Sequence, residues 1–324
     1  MSKPIVGTWF EFWHHNLSEG KYWNSVCRQF SAEQWKAKVE EIASVGMKYI
    51  VLMDTAIGYE EYSESYFETD IFPFADMACK DPMGALFDAA DQNGIKVFVS
   101  CGFYGVWTHT MENMTSPAVT ERAFKAMNQL WTRYGHHESF YGWYFPDETC
   151  IKGHFHPAFI EYVNRYSEYA HMLAPNTKTL IAPYGTRLLV ADDEYIEQLK
   201  ALDVDIIAYQ DEVGVRKSAP EDTAEYYKNL RKAHDAAGKA ALWADMEIFE
   251  FEGDVYHSAL IPATWDRVKR QIESVAPYVD EILIYQYQGM FNKPDTIAYC
   301  GHPESVRYYN ELSEYNEKCN MINN

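Results

Sequence analysis

Across its 324 residues the chain has no apolar run long enough to span a membrane and no C-x-x-C pair. It also lacks a Walker-type phosphate loop: "SCGFYG" from Ser100 is its nearest approach, and that run opens no tight strand-to-helix turn. Basic residues are scarce, 28 against 48 acidic ones, so the net charge is 28 − 48 = −20. That balance excludes a protein that tracks nucleic-acid phosphates, which needs a basic footprint, and one that docks on anionic lipid. Six cysteines (Cys27, Cys79, Cys101, Cys150, Cys300, Cys319) lie scattered, and the opening "MSKPIVGTWF" has no basic segment followed by an apolar core and a small-residue cleavage site. The expectation is a cytoplasmic protein with reduced thiols, although a secreted chain stripped of its leader fits as well. No nucleophilic Ser or Cys motif stands out.

Aromatic residues are abundant instead: 9 Trp, 25 Tyr and 17 Phe make up 16% of the chain, more than a core alone requires. The length suits a single α/β barrel. Eight β-rich runs begin at Pro4, Lys48, Ile95, Phe140, Lys178, Val204, Ala240 and Glu281. Helix signals separate them. Ser31 and Gln34 form a capping-box pattern, Asp81-Pro82, Ser116-Pro117 and His156-Pro157 start helices, and Asp192-Asp193, Ala219-Pro220, Ala263-Thr264 and His302-Pro303 start the rest. Strand and helix alternating eight times predict one domain over residues 1–324, a (β/α)8 TIM barrel of the α/β class. The longest connection, about residues 55–80, follows strand two and is rich in Glu, Tyr and Phe; it is expected to fold as a flap over the mouth, with some of Tyr59, Tyr62, Tyr66 and Phe67 near the cavity.

Reacting groups in such barrels sit at the C-terminal strand ends on inward side chains, which period-2 alternation should identify. On strand seven, Ala240, Leu242, Ala244, Met246 and Ile248 suit the helix-facing side, leaving Trp243, Asp245 and Glu247 inward. On strand six the same reasoning turns Val204, Ile206 and Ala208 toward the helices and Ile207, Tyr209 and Asp211 inward. Strand four, "YGWYFPDE", places Tyr141, Trp143 and Phe145 outward and Gly142, Tyr144 and Glu148 inward, so that Asp147 braces the turn. Trp9, Glu11 and Trp13 of strand one, Asp54 of strand two, Tyr104 of strand three, Tyr184 of strand five, and Gln286 and Gln288 of strand eight complete the expected mouth. Carboxylates, amides and flat rings around one cavity suit a carbohydrate: sugar C–H faces stack on aromatics while acids and amides bind hydroxyls.

Glu148 and Glu247 lie at strand tips nearly opposite each other, and paired carboxylates across a cleft are what glycosidic cleavage requires. "GWYFPDE" and "WADMEIF" resemble the large clan of barrel glycoside hydrolases with an acid/base Glu after strand four and a nucleophile Glu after strand seven. The whole chain, with "AYQDEVG" on strand six, resembles an uncharacterised bacterial family of barrel proteins grouped with them. The resemblance implies Glu148 as acid/base and Glu247 as nucleophile, with Asp211 and Asp245 tuning them or binding hydroxyls. One departure is plain: Asp147 stands where the clan usually has Asn. No cofactor and no metal is expected. His14-His15, His136-His137 and His154-x-His156 read as surface or supporting residues, since strands five to eight offer no inward His. Two other functions remain compatible, a metal-dependent sugar isomerase or epimerase using the same carboxylates and a non-catalytic glycan-binding barrel. Self-association into a homo-oligomer is also left open.

Overall fold

The computed structural model describes residues 3–323. Eight parallel strands close a barrel: β1 (Gly7–Phe10), β2 (Tyr49–Leu52), β3 (Lys96–Ser100), β4 (Phe140–Tyr144), β5 (Lys178–Ile181), β6 (Ile206–Gln210), β7 (Ala241–Glu247) and β8 (Glu281–Tyr285). Each pairs with its sequence neighbours, and β8 pairs with β1 to complete the ring. Helices α1 (Ala32–Ser44), α2 (Pro82–Asn93), α3 (Pro117–Tyr134), α4 (Pro157–Leu173), α5 (Asp193–Ala201), α6 (Thr223–Ala237), α7 (Trp265–Val275) and α8 (Ser305–Asn323) alternate with them. The fold is a (β/α)8 TIM barrel. No helix among the described residues is long and apolar enough to cross a membrane.

The helix starts follow the local chemistry. Ser31 and Gln34 exchange both capping-box hydrogen bonds, and Asp81, Ser116 and Asp192 each accept a backbone N–H at their helix N-terminus. α6 departs from expectation. It begins at Thr223 rather than beside Pro220, because a turn through Pro220 precedes it, with Thr223 Oγ1 donating to the Pro220 carbonyl.

Two buried clusters divide the strands by parity. Trp9, Val51, Phe98, Tyr144, Leu180, Ile206, Ala208, Trp243 and Leu283 fill the lumen. Leu242, Ala244 and Met246 of β7 face the helices, as alternation requires. On β6 the expected parity is reversed: Ile206 and Ala208 point inward, while Ile207 and Tyr209 point outward. Bulk and polarity explain this. The small Ala208 of β6 leaves room for the lumen rings, whereas the Tyr209 hydroxyl finds polar partners outside, in Tyr195 at 2.5 Å and His234 at 3.0 Å. On β4 the register against β3 shifts between Val97 and Phe98. Tyr141 therefore packs with the inner cluster, its ring 5.2 Å from that of Phe98, instead of facing the helices.

Trp243 belongs to this plug and not to the mouth. Its ring lies 4.9 Å from Tyr49 and 6.1 Å from Phe98, near the floor of the barrel. Trp243→Ala should thus cost about 3–5 kcal/mol of stability, as truncation of a packed aromatic does. A denaturation midpoint within error of wild type would show that the lumen does not depend on this ring.

Candidate active site

The C-terminal strand ends open into a cavity of about 310 Å³, walled by Trp9, Glu148, Tyr184, Asp245 and Glu247 among others. Glu148 lies four residues beyond the last residue of β4, with Pro146 between them. It is held from two sides: Tyr144 Oη donates to Oε1 at 3.2 Å and Gln210 Nε2 to Oε2 at 2.8 Å. Glu247 ends β7, and the Val215 N–H donates to its Oε2 at 2.8 Å. Burial pushes both carboxyls up, Glu148 to about 7 against its two hydrogen bonds and Glu247 to about 8 with help from the charge of Asp211.

Asp211 lies behind the cavity because of the reversed parity of β6. Fully buried, it accepts the Glu247 N–H and the Val213 N–H on Oδ1 and Gln271 Nε2 on Oδ2, which fastens the tip of β7 to α7. Burial raises it to about 6, with these donors opposing. Asp147 faces away from the cavity and is 3% exposed; its Oδ1 accepts Asn113 Nδ2 at 2.9 Å rather than a backbone N–H, and burial raises it to about 7.

Six more of the expected mouth residues lie outside the cavity wall. Glu11 is buried under the mouth and accepts His14 Nδ1, Trp23 Nε1 and Gln286 Nε2, while Gln288 Nε2 donates to the Glu11 carbonyl. Thus Glu11, Gln286 and Gln288 form a scaffold beneath the first loop. Trp13 carries the Arg28 guanidinium over its ring at 3.8 Å, with Arg28 in turn bonded to Glu64. Tyr104 lies beyond β3, in a small sheet of Ala56–Gly58, Ser63–Ser65 and Phe103–Val106, with its ring 5.3 Å from Phe72. Asp54 has the parity opposite to Met53, which does line the cavity; its carboxyl is fully buried, with no hydrogen-bond partner among the described residues. In the connection after β2, Tyr66 and Phe67 are buried in the outer core and Tyr59 stacks on Tyr62 at 4.3 Å; none of the four is in the cavity wall.

The structure adds wall residues that alternation did not select, chiefly Glu19, Gln210, Glu212, Lys217 and Tyr285. Gln210 and Tyr285 were within reach of a correct parity reading, being the inward ends of β6 and β8. Glu19, Glu212 and Lys217 sit on loops, where period carries no information. Glu212 has φ 56, in the left-handed region that non-glycine residues seldom adopt, and its carbonyl accepts the N–H groups of Lys217 and Ser218. The turn so formed presents Glu212 and Lys217 to the same wall.

Of the His14-His15 pair, His14 is buried in a supporting position and His15, partly buried, lines the cavity. His14 bridges two carboxylates, with Nδ1 on Glu11 at 2.8 Å and Nε2 on Glu19 at 3.0 Å. Burial opposes its charge, but Glu11 and Glu19 outweigh burial and push it up to about 10. Burial and the neighbouring charge hold His15 down to about 3. Ligand atoms of Glu11, His14 and His15 come within 4.8 Å of one another, the spacing of a metal site. With both nitrogens of His14 engaged by carboxylates, however, the geometry is that of an ion-paired imidazolium rather than of a neutral ligand.

Residues 5–298 match the family described as Domain of unknown function (DUF4434), and the chain belongs to it. No curated protein matches at the level of sequence. Among solved structures, a protein named as a candidate α-L-fucosidase from Bacteroides thetaiotaomicron is similar with a TM-score of 0.73 and 14% identity, over 98% of this chain and 94% of that one. An endo-1,4-β-mannanase from Rhizomucor miehei is similar with a TM-score of 0.59 and 11% identity, over 97% and 95%. A GH2 β-galacturonidase from Eisenbergiella tayi is similar with a TM-score of 0.59 and 14% identity over 98% of this chain, which spans 51% of that longer protein. At such identities the likeness establishes the barrel, and the site must carry the function.

The buried Asp54 gives a test of site electrostatics. Burial, then the charges of Glu11 and Glu64, push its carboxyl well above the usual range, so the folded protein keeps a proton that the unfolded chain releases. The stability from this group is fully present below the unfolded value, about 4, and is lost as pH rises toward the folded value. Asp54→Asn cannot titrate, so its melting temperature should gain on wild type between pH 4 and pH 8. A difference that stays constant over that range would show Asp54 to be paired.

Proposed function

We propose that the protein is a glycoside hydrolase-like enzyme, one domain over residues 1–324, that cleaves a glycosidic bond in a small oligosaccharide or glycoside with Glu148 as general acid/base and Glu247 as nucleophile or base. The observation that supports this most is that one cavity holds both carboxyls, from the tips of β4 and β7, beside the rings of Trp9 and Tyr184. The likeness to barrels named as a mannanase and a galacturonidase agrees with it.

In this reading Glu148 gives its proton to the leaving glycosidic oxygen as the bond to the anomeric carbon breaks. Glu247, ionised, attacks that carbon or takes a proton from the attacking water. The two groups compete for protons, since burial raises both, and Glu247 the further. Positive charge developing on the sugar ring favours ionised Glu247 and leaves the proton on Glu148. Asp211 keeps the Glu247 backbone in place through its hydrogen bond to the N–H.

With a hydrolysable glycoside found by screening, Glu148→Gln should lower kcat by about 10²–10⁴ and abolish the alkaline limb of the pH profile, which wild type should show near 7 to 8. Asp147→Asn, outside the cavity, should keep both limbs. Activity that survives EDTA would separate this mechanism from metal-dependent isomerisation, whereas glycan binding without turnover across a broad panel would mark a binding barrel. Near wild-type activity in Glu148→Gln would sink the assignment.

A further inference from the structure

The cavity wall carries five acidic side chains, Glu19, Glu148, Glu212, Asp245 and Glu247, against one lysine, Lys217. Most of the acids already have partners. Glu19 is bonded to His14 and Asn16, Glu148 to Tyr144 and Gln210, Glu247 to the Val215 N–H, and Glu212 lies 3.9 Å from Lys217. Asp245 differs from all four. It stands two residues before Glu247 with the same inward parity and is 2% exposed, and its carboxyl has no hydrogen-bond partner among the described residues, Oδ1 being sealed from solvent. The titratable groups acting on it are all acids that oppose its ionisation: Glu247, Asp211 and Glu148.

We propose that the cavity is selective for a sugar carrying a free, positively charged amine, with Asp245 as the carboxylate that receives the ammonium. This rests on the carbohydrate reading given above and names the substrate class within it. A hydroxyl would give Asp245 one donor but no charge that lets it ionise beside Glu148 and Glu247 in a site of low dielectric. An ammonium brings three donors, no acceptor and a compensating charge. A uronic acid would add a further anion to the wall, with only Lys217 to receive it, so the same charge balance disfavours that class. Burial, then the repulsion of its neighbours, raises the Asp245 carboxyl, so it holds a proton until a cation arrives. Cation binding therefore releases that proton.

The test is calorimetry on the full chain at pH 7, with glucosamine, galactosamine and mannosamine as probes, against their parent hexoses, their N-acetyl forms and glucuronate. The expected result has three parts. At least one amine binds tenfold or more tighter than its parent hexose and than glucuronate, the binding enthalpy differs between phosphate and Tris buffers in the sense of proton release, and Asp245→Asn brings the amine-to-hexose ratio to about one. The buffer comparison needs only wild-type protein and survives a variant that folds poorly. Equal or weaker binding of every amine, no binding included, overturns the proposal, as does an amine preference that Asp245→Asn leaves intact in a folded protein. Hydrolysis of neutral glycosides in preference to amino-glycosides would overturn it while leaving the glycosidase reading standing. Amine binding with proton release, but without turnover of any amino-glycoside, would uphold it and remove the catalytic reading.

Discussion

Taking an ionised carboxylate out of water costs several kcal/mol, and this barrel buries carboxyl groups repeatedly around a single mouth. Glu11, Asp54, Asp147, Asp211, Glu212, Asp245 and Glu247 are all at most 5% exposed. How each is compensated decides where it stands. Asp211 collects two backbone N–H groups and an amide and becomes a brace. Glu11 collects an imidazolium, an indole N–H and an amide and becomes a hub beneath the first loop. Glu247, with one backbone donor, and Asp245, with none among the described residues, face the cavity, where a ligand can complete them, whereas Asp54 is as bare but closed in by protein.

The hub has a structural consequence for the wall. Glu11 follows β1 directly, His14 holds Glu11 with one nitrogen and Glu19 with the other, and Trp23 and Gln286 tie the same carboxylate to the following loop and to the end of β8. A long, otherwise irregular segment is thus pinned at three points, and Glu19 is carried into the cavity wall by a cation that burial alone would have discharged.

The barrel was legible from eight β-rich runs separated by capped helices, because each strand and each cap is specified within a few residues. The inward set was legible on β7, where apolar and acidic residues alternate cleanly. It was misread on β6, since "IIAYQ" is apolar on both faces and gives parity no contrast. It was misread at Tyr141 as well, because a register shift between neighbouring strands leaves no trace in one strand's own sequence. Glu19, Glu212 and Lys217 reach the wall through loop conformation, and Asp54 misses it by one residue of phase.

The reversal on β6 bears directly on the adjacent acids of "YGWYFPDE". Had Asp211 faced inward, Gln210 would have been turned to the helices and Glu148 would have lacked its shorter hydrogen bond. As built, Gln210 Nε2 donates both to Glu148 Oε2 at 2.8 Å and to the Ala182 carbonyl at 2.9 Å, so the amide is fixed between β4 and β5. Tyr144 supplies the second donor from within β4 itself. Asp147 receives one amide, from Asn113, on the far side of the turn. The two neighbouring carboxyls therefore differ less in how far burial raises them than in what surrounds them. Asp147 is enclosed by protein, and Glu148 stands at the edge of a cavity with its geometry set by two donors on two strands. For a group that must hand a proton to something that comes and goes, that difference in access decides between them.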